Sequence, residues 1–272
     1  MTKKYDLHTH STVSDGSFSP KELVDHASLL GLSGISITDH DTIGAYTEEL
    51  FSYAKDKKIE IITGAEFSSA YQDTGVHVLA YCFDLNNPLM KEFCERHKKR
   101  RKERNSLILS LLNKKGFTIL ESDLEFAGSV VGRPHIATAM IKKGYVATIQ
   151  DAFKLYIGDG KPCFAPGNRF SLQETIEVIH RCKGKAVLAH PILLKKRSLI
   201  KKLLEFPFDG METFYANFSA KQNGEMSQIA SKHKDLIQTG GSDFHGEIKS
   251  YSVLGSAYTT EENLERLKTC KI

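Results

Sequence analysis

The residues of this sequence best suited to chemistry are histidines and carboxylates that lie in or just after short apolar runs. His8 and His10 end the first run and are two residues apart, so a strand with a side-chain period of two would point both imidazoles to one face. Imidazole nitrogens and carboxylate oxygens are common ligands of divalent transition metals. The spacing therefore predicts that both histidines could bind one metal ion.

The same combination recurs along the chain. His40 follows the second apolar run, and Glu66 follows a third run that is too apolar to hold a carboxylate without a cation nearby. His77 lies inside a fourth run. Taken singly, each histidine could equally be a hydrogen-bonded structural residue, but the repetition favours a shared metal site. Three further residues of this kind follow later apolar runs: His190, Asp243 and His245.

Asp15 and four other histidines are weaker candidates. Asp15 precedes Gly16 in a polar loop, where aspartate commonly forms a turn, and only its nearness to His8 and His10 favours a role as a ligand. Four histidines lie in helical segments away from strand ends, and we expect them to be structural or surface residues: His26, His97, His180 and His233.

Short apolar runs that alternate with stretches of helical period are typical of βα units around a parallel sheet. Pro20–Leu30 is a predicted helix, with Pro20 in its first turn and Gly31 after its end. In α/β barrels the carboxyl ends of the strands meet at one face, so ligands distant in sequence can converge there. The predicted strands are Tyr5–Leu7, Gly34–Thr38, Ile59–Ala65, Val76–Tyr81, Ala186–Ala189, Met211–Phe214 and Leu236–Thr239.

The alternation lapses from about Lys91 to Gly167, where helical segments precede a turn-rich stretch. We interpret this part as a mostly helical insertion. It divides the chain into a first barrel part at residues 1–97, a subdomain at 98–167 and a second barrel part at 168–272. The predicted helices of the insertion and the second part are Leu107–Leu112, Ile136–Lys143, Leu172–Arg181, Ser227–His233 and Glu261–Lys268.

Composition excludes several classes of protein. The 272 residues are 40% hydrophobic and 26% charged, as in ordinary globular proteins, and no apolar run approaches the roughly 18 residues of a membrane span. The N-terminus lacks the pattern of a secretory signal, so we expect a cytoplasmic protein with no membrane or obligate protein partner. Five cysteines without a C-x-x-C pair indicate reduced thiols rather than disulfides or a zinc knuckle.

The segment Lys98–Arg104 concentrates six positive residues around the single acid Glu103, although the net charge of the chain is only +4. Such a run is commonly the solvated face of a helix. The alternative is that it attracts a phosphate-bearing substrate or short RNA. The sequence leaves both interpretations open.

Several motifs in order give the chain a specific resemblance to a known family. They are D-L-H-T-H-S-T-V-S-D-G at 6–16, I-T-D-H-D-T at 37–42, G-A-E-F at 64–67, H-V-L-A-Y at 77–81, L-A-H-P at 188–191 and G-S-D-F-H at 241–245. The sequence thereby resembles the PHP (polymerase and histidinol phosphatase) superfamily of metal-dependent phosphoesterases. Asp15, Gly44 after D-H-D-T, and G-R-P-H-I-A at 132–137 are similar to its TrpH-like branch, which acts on nucleotides and short oligonucleotides.

The resemblance implies a distorted seven-stranded TIM-like barrel with a small helical insertion and three divalent ions. Manganese is the expected metal, with zinc or iron as alternatives, because the ligands are nitrogen and oxygen without thiolate. The resemblance, and not the spacing, divides the ligands among the three sites. The first site would comprise His8, His10, Glu66 and Asp243, the second Asp15, His40 and His245, and the third Glu66, His77 and His190, so that Glu66 bridges two sites.

Substrate contacts are also implied by the resemblance. Arg133 would bind phosphate oxygens through two parallel hydrogen bonds, and His135 would hydrogen-bond the phosphate or protonate the leaving alkoxide. The alternative for this stretch is a simple turn made by Gly132 and Pro134. The chain departs from the family pattern at 181–184 and at 214–217, where Tyr215 and Asn217 could alter recognition of the base or leaving group.

These ligands suit the hydrolysis of phosphate esters. Six neutral imidazoles and three carboxylates around three divalent ions would leave a formal charge of about +3, which complements a phosphate dianion. Water bound to such a metal ionises near neutral pH and supplies the attacking hydroxide. Asp15, His40, Asp243 and His245, with Arg133 and His135, would thus form the catalytic set.

We therefore predict a phosphatase of nucleotides, for example one that removes the 3′-phosphate of nucleoside 3′,5′-bisphosphates, with possible 5′-to-3′ trimming of short RNA. One alternative is a phosphatase for a small metabolite such as histidinol phosphate. An alternative of another class is a non-catalytic binding or regulatory module stabilised by metal.

Overall fold

The computed structural model describes residues 3–124, 128, 130–194, 196–216 and 218–269, which form a mixed α/β fold. Every predicted strand corresponds to a strand of the structure, although several boundaries move. The strands are β1 (Lys4–Thr9), β2 (Gly34–Ile37), β3 (Glu60–Ile61), β4 (Gly64–Tyr71), β5 (Thr74–Tyr81), β6 (Phe170–Ser171), β7 (Lys185–Leu188), β8 (Gly210–Tyr215), β9 (Ile237–Gly241) and β10 (Thr259–Thr260).

The helices begin at residues that cap them. Ser19 and Glu22 form a capping box at the first helix, and Thr47, Ser171, Ser219 and Thr260 each accept a backbone hydrogen bond at the start of later ones. The helices are α1 (Pro20–Leu29), α2 (Glu48–Asp56), α3 (Pro88–Lys114), α4 (Arg133–Lys142), α5 (Ile149–Ala152), α6 (Leu172–Arg181), α7 (Ser198–Leu203), α8 (Ala220–Ala230) and α9 (Glu261–Lys268).

The strands form two sheets among the described residues. One sheet has the order β10-β1-β2-β3, in which β1, β2 and β3 are parallel. The other has the order β6-β4-β5-β7-β8-β9, in which β7, β8 and β9 are parallel. Helices connect the parallel strands, as βα units require.

One strand runs against the βα pattern. The predicted strand Ile59–Ala65 is two strands, β3 and β4, and β4 continues to Tyr71 before a tight turn into β5. β5 is antiparallel to both β4 and β7. Glu66 is therefore the third residue of β4 rather than a residue after a strand, and the expectation of an uninterrupted βα series is wrong at this point. An alternating apolar pattern gives no information on strand direction, which explains the difference.

Two isolated bridges join the two sheets. Thr9 of β1 bridges Phe244, and His40 bridges Glu66 of β4, each in parallel orientation. At the first bridge the amide of Asp243 donates to the carbonyl of His8 at 2.7 Å, and the amide of His10 donates to the carbonyl of Phe244 at 2.8 Å. The strands that carry the predicted ligands are thereby tied together through their backbones.

Apolar side chains fill the space between the sheets and beneath the helices. One buried cluster joins Tyr5, Leu79, Tyr81 and Val187 from both sheets with Leu264 of α9, so it occupies the interior. Separate clusters pack α1 and α2 against β2, and α3, α6 and α8 against the larger sheet. Helices thus cover the outer faces of both sheets, and α9 packs against the apolar cluster between them.

The helical region between residues 108 and 165 has its own apolar cluster, which includes Ile108, Leu112, Ile136 and Met140. The helix α3 is longer than the predicted Leu107–Leu112, and it runs from the larger sheet into this region without a break. Within the described residues, no helix has the length and apolar character that a bilayer span requires.

Gly241, at the end of β9, permits the close approach of β9 to β1. A Cβ atom at this position would lie 2.3 Å from Cβ of His8 and 2.5 Å from its backbone nitrogen. Overpacking of this kind costs about 1–3 kcal/mol, and backbone atoms cannot yield as a side chain can. The glycine is therefore required by the junction of the two sheets.

We predict that Gly241→Ala lowers the free energy of unfolding by about 2–3 kcal/mol in urea titrations, because β1 and β9 must separate. The matched control is Gly224→Ala in α8, where a Cβ would have no atom within 4 Å. That change should raise the free energy of unfolding by about 0.5–1 kcal/mol, because alanine favours the helix. Equal stability of the wild type and Gly241→Ala would contradict the tight junction.

Candidate metal centre

A single buried carboxylate, that of Glu66, lies at the centre of the predicted ligands. Its side chain is 1% exposed. Nitrogens of five imidazoles lie within 3.4 Å of its two oxygens. Oε2 is 3.4 Å from His8, 3.3 Å from His10 and 3.0 Å from His40, and Oε1 is 2.7 Å from His77 and 2.8 Å from His190.

The alternation of side chains on β4 and β5 explains how Glu66 and His77 meet. Ala65 and Phe67 belong to the apolar cluster under the helices, so Glu66 between them points to the opposite side, into the interior. His77 shares its face of β5 with Leu79, which belongs to the interior cluster and pairs with Glu66. Because β5 runs antiparallel, its N-terminal half lies beside the C-terminal ends of the parallel strands. His77, which lies within a strand, is thus close to the predicted ligands that follow the parallel strands.

The first group of predicted ligands comprises His8, His10, Glu66 and Asp243, whose donor atoms all lie within 4.8 Å of one another. Nε2 of His8 and Nε2 of His10 lie 3.5 Å and 3.3 Å from Oδ1 of Asp243. The two imidazoles therefore converge on the same carboxylates, as their spacing predicts. The pairing of β1 with β2 shifts between Asp6 and Thr9, and bulges of this kind re-aim side chains beside active sites.

The second group comprises Asp15, His40 and His245, joined by His10. Asp15 lies 3.6 Å from Nε2 of His245 and 3.8 Å from Nε2 of His40. Its loop is held by the buried carboxylate of Asp39, which accepts hydrogen bonds from the amide and hydroxyl of Ser11 and from the hydroxyl of Ser14. Asp15 is therefore brought into the cluster and does not simply form a surface turn.

The third group differs slightly from the one implied by the family resemblance. The donor atoms that lie together belong to His40, Glu66 and His77. His190 contacts the same oxygen of Glu66 as His77, and the two rings lie 5.3 Å apart. All nine predicted ligands thus lie in one cluster.

The chemistry of this cluster fits divalent cations. Nε2 of His8, both ring nitrogens of His10 and Nδ1 of His40 are buried and make no hydrogen bond among the described residues. Burial alone would raise the pKa of Glu66, yet the surrounding histidines hold that pKa well below its ordinary value. Burial opposes protonation of His10, but Asp243 and Glu66 outweigh it and raise its pKa to about 9. The carboxylates therefore demand positive charge, which metal ions supply while the imidazoles stay neutral.

Glu212 contacts two of the predicted ligands, His8 and His190, and was not among the residues predicted from the sequence. Its side chain is 1% exposed, and its Oε1 lies 2.9 Å from Nδ1 of His8. Its Oε2 accepts a hydrogen bond from the backbone amide of His190 at 2.8 Å. A carboxylate on the far nitrogen of a ligand histidine fixes the ring and its tautomer. Glu212 lies in the apolar strand β8, just as Glu66 lies in an apolar run. The argument that predicted Glu66 as a ligand could therefore have identified Glu212 as well.

Tyr215 and Lys249 both contact Asp243. The hydroxyl of Tyr215 donates to Oδ2 of Asp243 at 2.5 Å, and Nζ of Lys249 contacts the same oxygen. Tyr215 is 5% exposed and its hydroxyl is bound to Asp243, so it orients this carboxylate, while its role in substrate binding stays a prediction. Lys249 is the last residue of a short 3-10 helix, Gly246–Lys249, and nothing in the sequence distinguishes it from other lysines. Asn217, the other predicted contact at this place, lies outside the described residues.

Arg133 and His135 open helix α4 and do not form a turn. The backbone amide of Gly132 donates to Nδ1 of His135 at 2.9 Å, which caps the helix. Arg133 lies 2.8 Å from Asp159 and over the rings of Phe153 and Phe164. Burial lowers the pKa of His135, which keeps its imidazole neutral, with the proton on Nε2.

The basic run of α3 divides into two kinds of residue. Lys98, Lys99 and Lys102 are exposed, whereas Arg100 and Arg101 are buried. Nε of Arg101 lies 2.5 Å and Nη2 of Arg100 3.3 Å from the carboxylate of Asp41. His97, predicted to be structural, is buried and lies 3.0 Å from the same carboxylate. Asp41 directly follows His40, so these residues link α3 to the metal cluster.

The other three histidines predicted to be structural or surface residues lie outside the cluster. His26 packs against the ring of Phe18, His180 contacts Asp209, and His233 is exposed.

Comparison with known proteins agrees with this geometry. The model of the PHP domain family matches residues 6–269. A "5'-3' exoribonuclease" of Haemophilus influenzae is 36% identical over 90% of this chain and 91% of that protein. A "3',5'-nucleoside bisphosphate phosphatase" of Chromobacterium violaceum is 27% identical over 88% and 86%. A solved amidohydrolase structure from Chromobacterium violaceum, with bound sulfate and no metal, matches with a TM-score of 0.86, 26% identity and 96% coverage of both chains.

We predict that Glu66→Gln reduces the divalent metal content by at least one ion per chain, because Glu66 belongs to two of the three donor groups. The measurement is elemental analysis after dialysis against manganese. The matched control is Glu48→Gln, an exposed glutamate in the first turn of α2, which should retain the wild-type content. If Glu66→Gln were folded and bound as much metal as the wild type, Glu66 would not be a ligand.

Proposed function

Because the chain belongs to the PHP domain family, we propose that it is a metal-dependent phosphoesterase that removes phosphate from nucleotides, such as the 3′-phosphate of nucleoside 3′,5′-bisphosphates. The observation that carries this proposal is the buried carboxylate of Glu66 among five imidazoles. Such a donor set is that of a metal centre for hydrolysis, and the chain resembles relatives that are named for action on nucleotides and RNA.

We further propose that seven strands, β1, β2, β4, β5, β7, β8 and β9, form the distorted barrel expected from the family. The two bridges between the sheets and the shared interior cluster support this arrangement. Residues 98–167 would be the helical subdomain, and their separate apolar cluster supports that division. The metal cluster then lies at the end of the barrel where the strand carboxyl ends meet.

We propose that the nine clustered residues hold three divalent ions, with manganese as the first metal to test and zinc or iron as alternatives. Divalent ions bound there would offset negative charge on the phosphate and make a water ionise near neutral pH. Glu66 would hold the ligand histidines around one point, and Glu212 would fix the ring of His8. Lys249 and Tyr215 would keep Asp243 ionised and oriented.

The substrate would be positioned by residues of the helical region. Arg133 presents a guanidinium to the cavity that His77 and His190 also line, where it would contact phosphate oxygens. Nδ1 of His135 accepts a hydrogen bond from the backbone amide of Gly132, so the N–H at Nε2 is the group that can donate to a phosphate oxygen. Its lowered pKa favours this neutral donor over a protonated imidazole that would act as a general acid.

A second proposed activity is the stepwise removal of nucleotides from the 5′ end of short RNA. The first relative described above is named for this reaction, and its similarity covers nine-tenths of this chain. Exposed Lys98, Lys99 and Lys102 on α3 would favour the approach of a polyanion.

We predict that the purified protein with manganese releases phosphate from adenosine 3′,5′-bisphosphate, and that Asp243→Asn lowers kcat/KM by about 100-fold or more, because the amide cannot replace the charge of a metal ligand. Malachite-green detection of phosphate gives the rates. The control is Asp56→Asn, an exposed aspartate at the end of α2, which should match the wild type.

Equal rates for the wild type and Asp243→Asn would contradict the proposed mechanism. A small-metabolite phosphatase would instead show a higher kcat/KM for histidinol phosphate than for the nucleotide. A non-catalytic module would bind metal without releasing phosphate from either compound.

A further inference from the structure

Helix α3 lines two separate cavities. Arg100 and Arg104, one turn apart, line the cavity that His77 and His190 also line. The other cavity has a volume of about 170 Å³, and none of the nine predicted metal ligands, all of which belong to the described part of the chain, lines it. Its lining residues on α3 recur at intervals of three and four and therefore share one face of the helix: Lys98, Arg101, Lys102, Asn105, Ser106 and Leu109.

The second wall of this cavity comes from the chain that precedes α4. The side-chain amide of Asn105 donates to the carbonyl of Val131 at 2.9 Å, which ties the two walls together. Leu109, Leu124 and Val130 are buried, so the interior of the cavity is apolar. The residues of the second wall are Glu121, Leu124, Val130 and Val131.

Positive charge lies on the solvent side of the cavity. Lys98 and Lys102 are exposed, and both line it. Nζ of Lys102 is 3.7 Å from the carboxylate of Glu121, but both side chains are largely in solvent, so this pair contributes little. Lys98 has no carboxylate oxygen within 4.0 Å among the residues that the structure describes. The cavity therefore combines an apolar interior with ammonium groups at its entrance.

This combination fits a small organic anion with an apolar ring. Apolar cavities of about 150 Å³ admit a benzene ring, so a volume of about 170 Å³ has room for one aromatic ring. A mostly apolar lining with a few polar groups that fix orientation is typical of small-molecule sites. The lysines and Leu109 lie on successive turns of α3, so a short linker would separate the ring from the negative group.

The α3 wall is connected directly to the metal cluster. Arg101 lines the cavity, and its Nε lies 2.5 Å from the carboxylate of Asp41, the residue after His40. Its Nη2 donates to the hydroxyl of Ser68 on β4 at 3.0 Å. A ligand that packs against this face of α3 therefore acts on the side chain that holds Asp41.

The second wall also reaches the metal cluster. Val131 precedes Gly132, where a Cβ would lie 3.6 Å from Oδ2 of Asp15. A Cβ on Gly128 would lie 2.3 Å from a backbone oxygen of the loop that carries Asp15. The amide of Gly132 donates to Nδ1 of His135. The position of this wall thus affects a predicted metal ligand and a predicted substrate contact.

We propose that this cavity, which we call the effector cavity, binds a small organic anion with an apolar ring and that the bound ligand activates the metal centre. The inference goes beyond the proposed function, because it adds a regulatory site outside the metal cluster. A ligand that contacts both walls favours the arrangement in which Arg101 lies beside Asp41 and Gly132 lies beside Asp15. Metal ions bound by Asp15 and His40 favour the same arrangement, so each ligand raises the affinity for the other.

Calorimetry with 3-phenylpropionate tests the cavity, since this compound joins one aromatic ring to a carboxylate through two carbons. We expect the manganese-loaded wild type to bind it more tightly, by about 10-fold or more, than propionate, which lacks the ring, or 3-phenylpropan-1-ol, which lacks the charge. Propionate also reports any binding of a carboxylate to the metal ions. No binding of 3-phenylpropionate, or equal binding of either analogue, would overturn the proposal.

A substitution that fills the cavity locates the ligand. Ser106 lines the cavity from an exposed position on α3, so Ser106→Trp places a large ring there and should weaken binding of 3-phenylpropionate by about 10-fold or more. The matched control is Ser110→Trp, an exposed serine of the same helix outside the lining, which should bind like the wild type. Equal affinity of Ser106→Trp and the wild type would place the ligand elsewhere and contradict the effector cavity.

A charge substitution at the entrance gives a second test, which remains informative if Ser106→Trp does not fold. Lys98→Gln should weaken binding by about 3- to 10-fold, because it removes an ammonium group that faces the carboxylate. Lys91→Gln removes one charge from an exposed position in the first turn of the same helix and should leave the affinity unchanged. If both variants weakened binding equally, the effect would be one of net charge and the assigned entrance would be wrong.

The coupling to the metal centre is measured by binding as well as by activity. Treatment with EDTA should lower the affinity for 3-phenylpropionate by about 5-fold or more, and the compound should raise the affinity for manganese by the same factor, because coupling free energies are reciprocal. It should also raise kcat/KM for adenosine 3′,5′-bisphosphate, and Ser106→Trp should not respond to it. Affinities that do not depend on each other would overturn the activation.

Failure of the effector cavity and failure of the proposed reaction give different results. If the wild type hydrolyses no nucleotide yet binds 3-phenylpropionate more tightly with manganese than without it, the reaction is wrong and the effector cavity stands. If the protein is active and 3-phenylpropionate inhibits it in competition with the nucleotide, the compound binds at the metal centre and the effector cavity is wrong.

Discussion

The charge of one buried glutamate governs the arrangement of this molecule. A carboxylate that is 1% exposed is costly unless positive charge or hydrogen-bond donors surround it, and Glu66 obtains them from histidines on both sheets. The strands that supply these residues come from positions 8 to 190 of the chain. The bridges between the sheets, the glycine at their junction and the carboxylate behind His8 all serve to hold these imidazoles around one point.

The sequence was informative wherever a residue type conflicted with its surroundings. Eight polar residues in or after apolar runs predicted the cluster, and Asp15 was added from a polar loop because it lies close to His8 and His10 in the sequence; the structure brings all nine together. Direction of the strands was not predictable, because the alternation that identifies β5 is the same for parallel and antiparallel pairing. The burial of Arg100 and Arg101 could not be predicted either. The lysines beside them in the basic run are exposed, and only the way in which the long helix α3 faces Asp41 determines which basic residues are buried.

Helix α3 connects the helical region to the metal cluster. Arg101 contacts Asp41, the residue after His40, and also donates to the hydroxyl of Ser68 on β4. Asp41 has a backbone φ of 59°, in the left-handed region that non-glycine residues seldom adopt and that aspartate tolerates better than most. The ion pairs and the amide of Ser68, which donates to Asp41 at 2.6 Å, hold it there. The position of the helical region and the orientation of His40 therefore depend on the same buried charges.

The junction of β1 with β9 also bears on how the protein is made. His8 and Asp243 are 235 positions apart, and the backbone hydrogen bond between them closes one side of the cluster. During synthesis the first histidines emerge from the ribosome long before their carboxylate partner. Contacts so distant in sequence form late and slowly, since the intervening chain must be ordered first. A nascent chain that still lacks β9 thus carries seven of the nine predicted ligands, and the cluster is complete only after Asp243 and His245 have been synthesised.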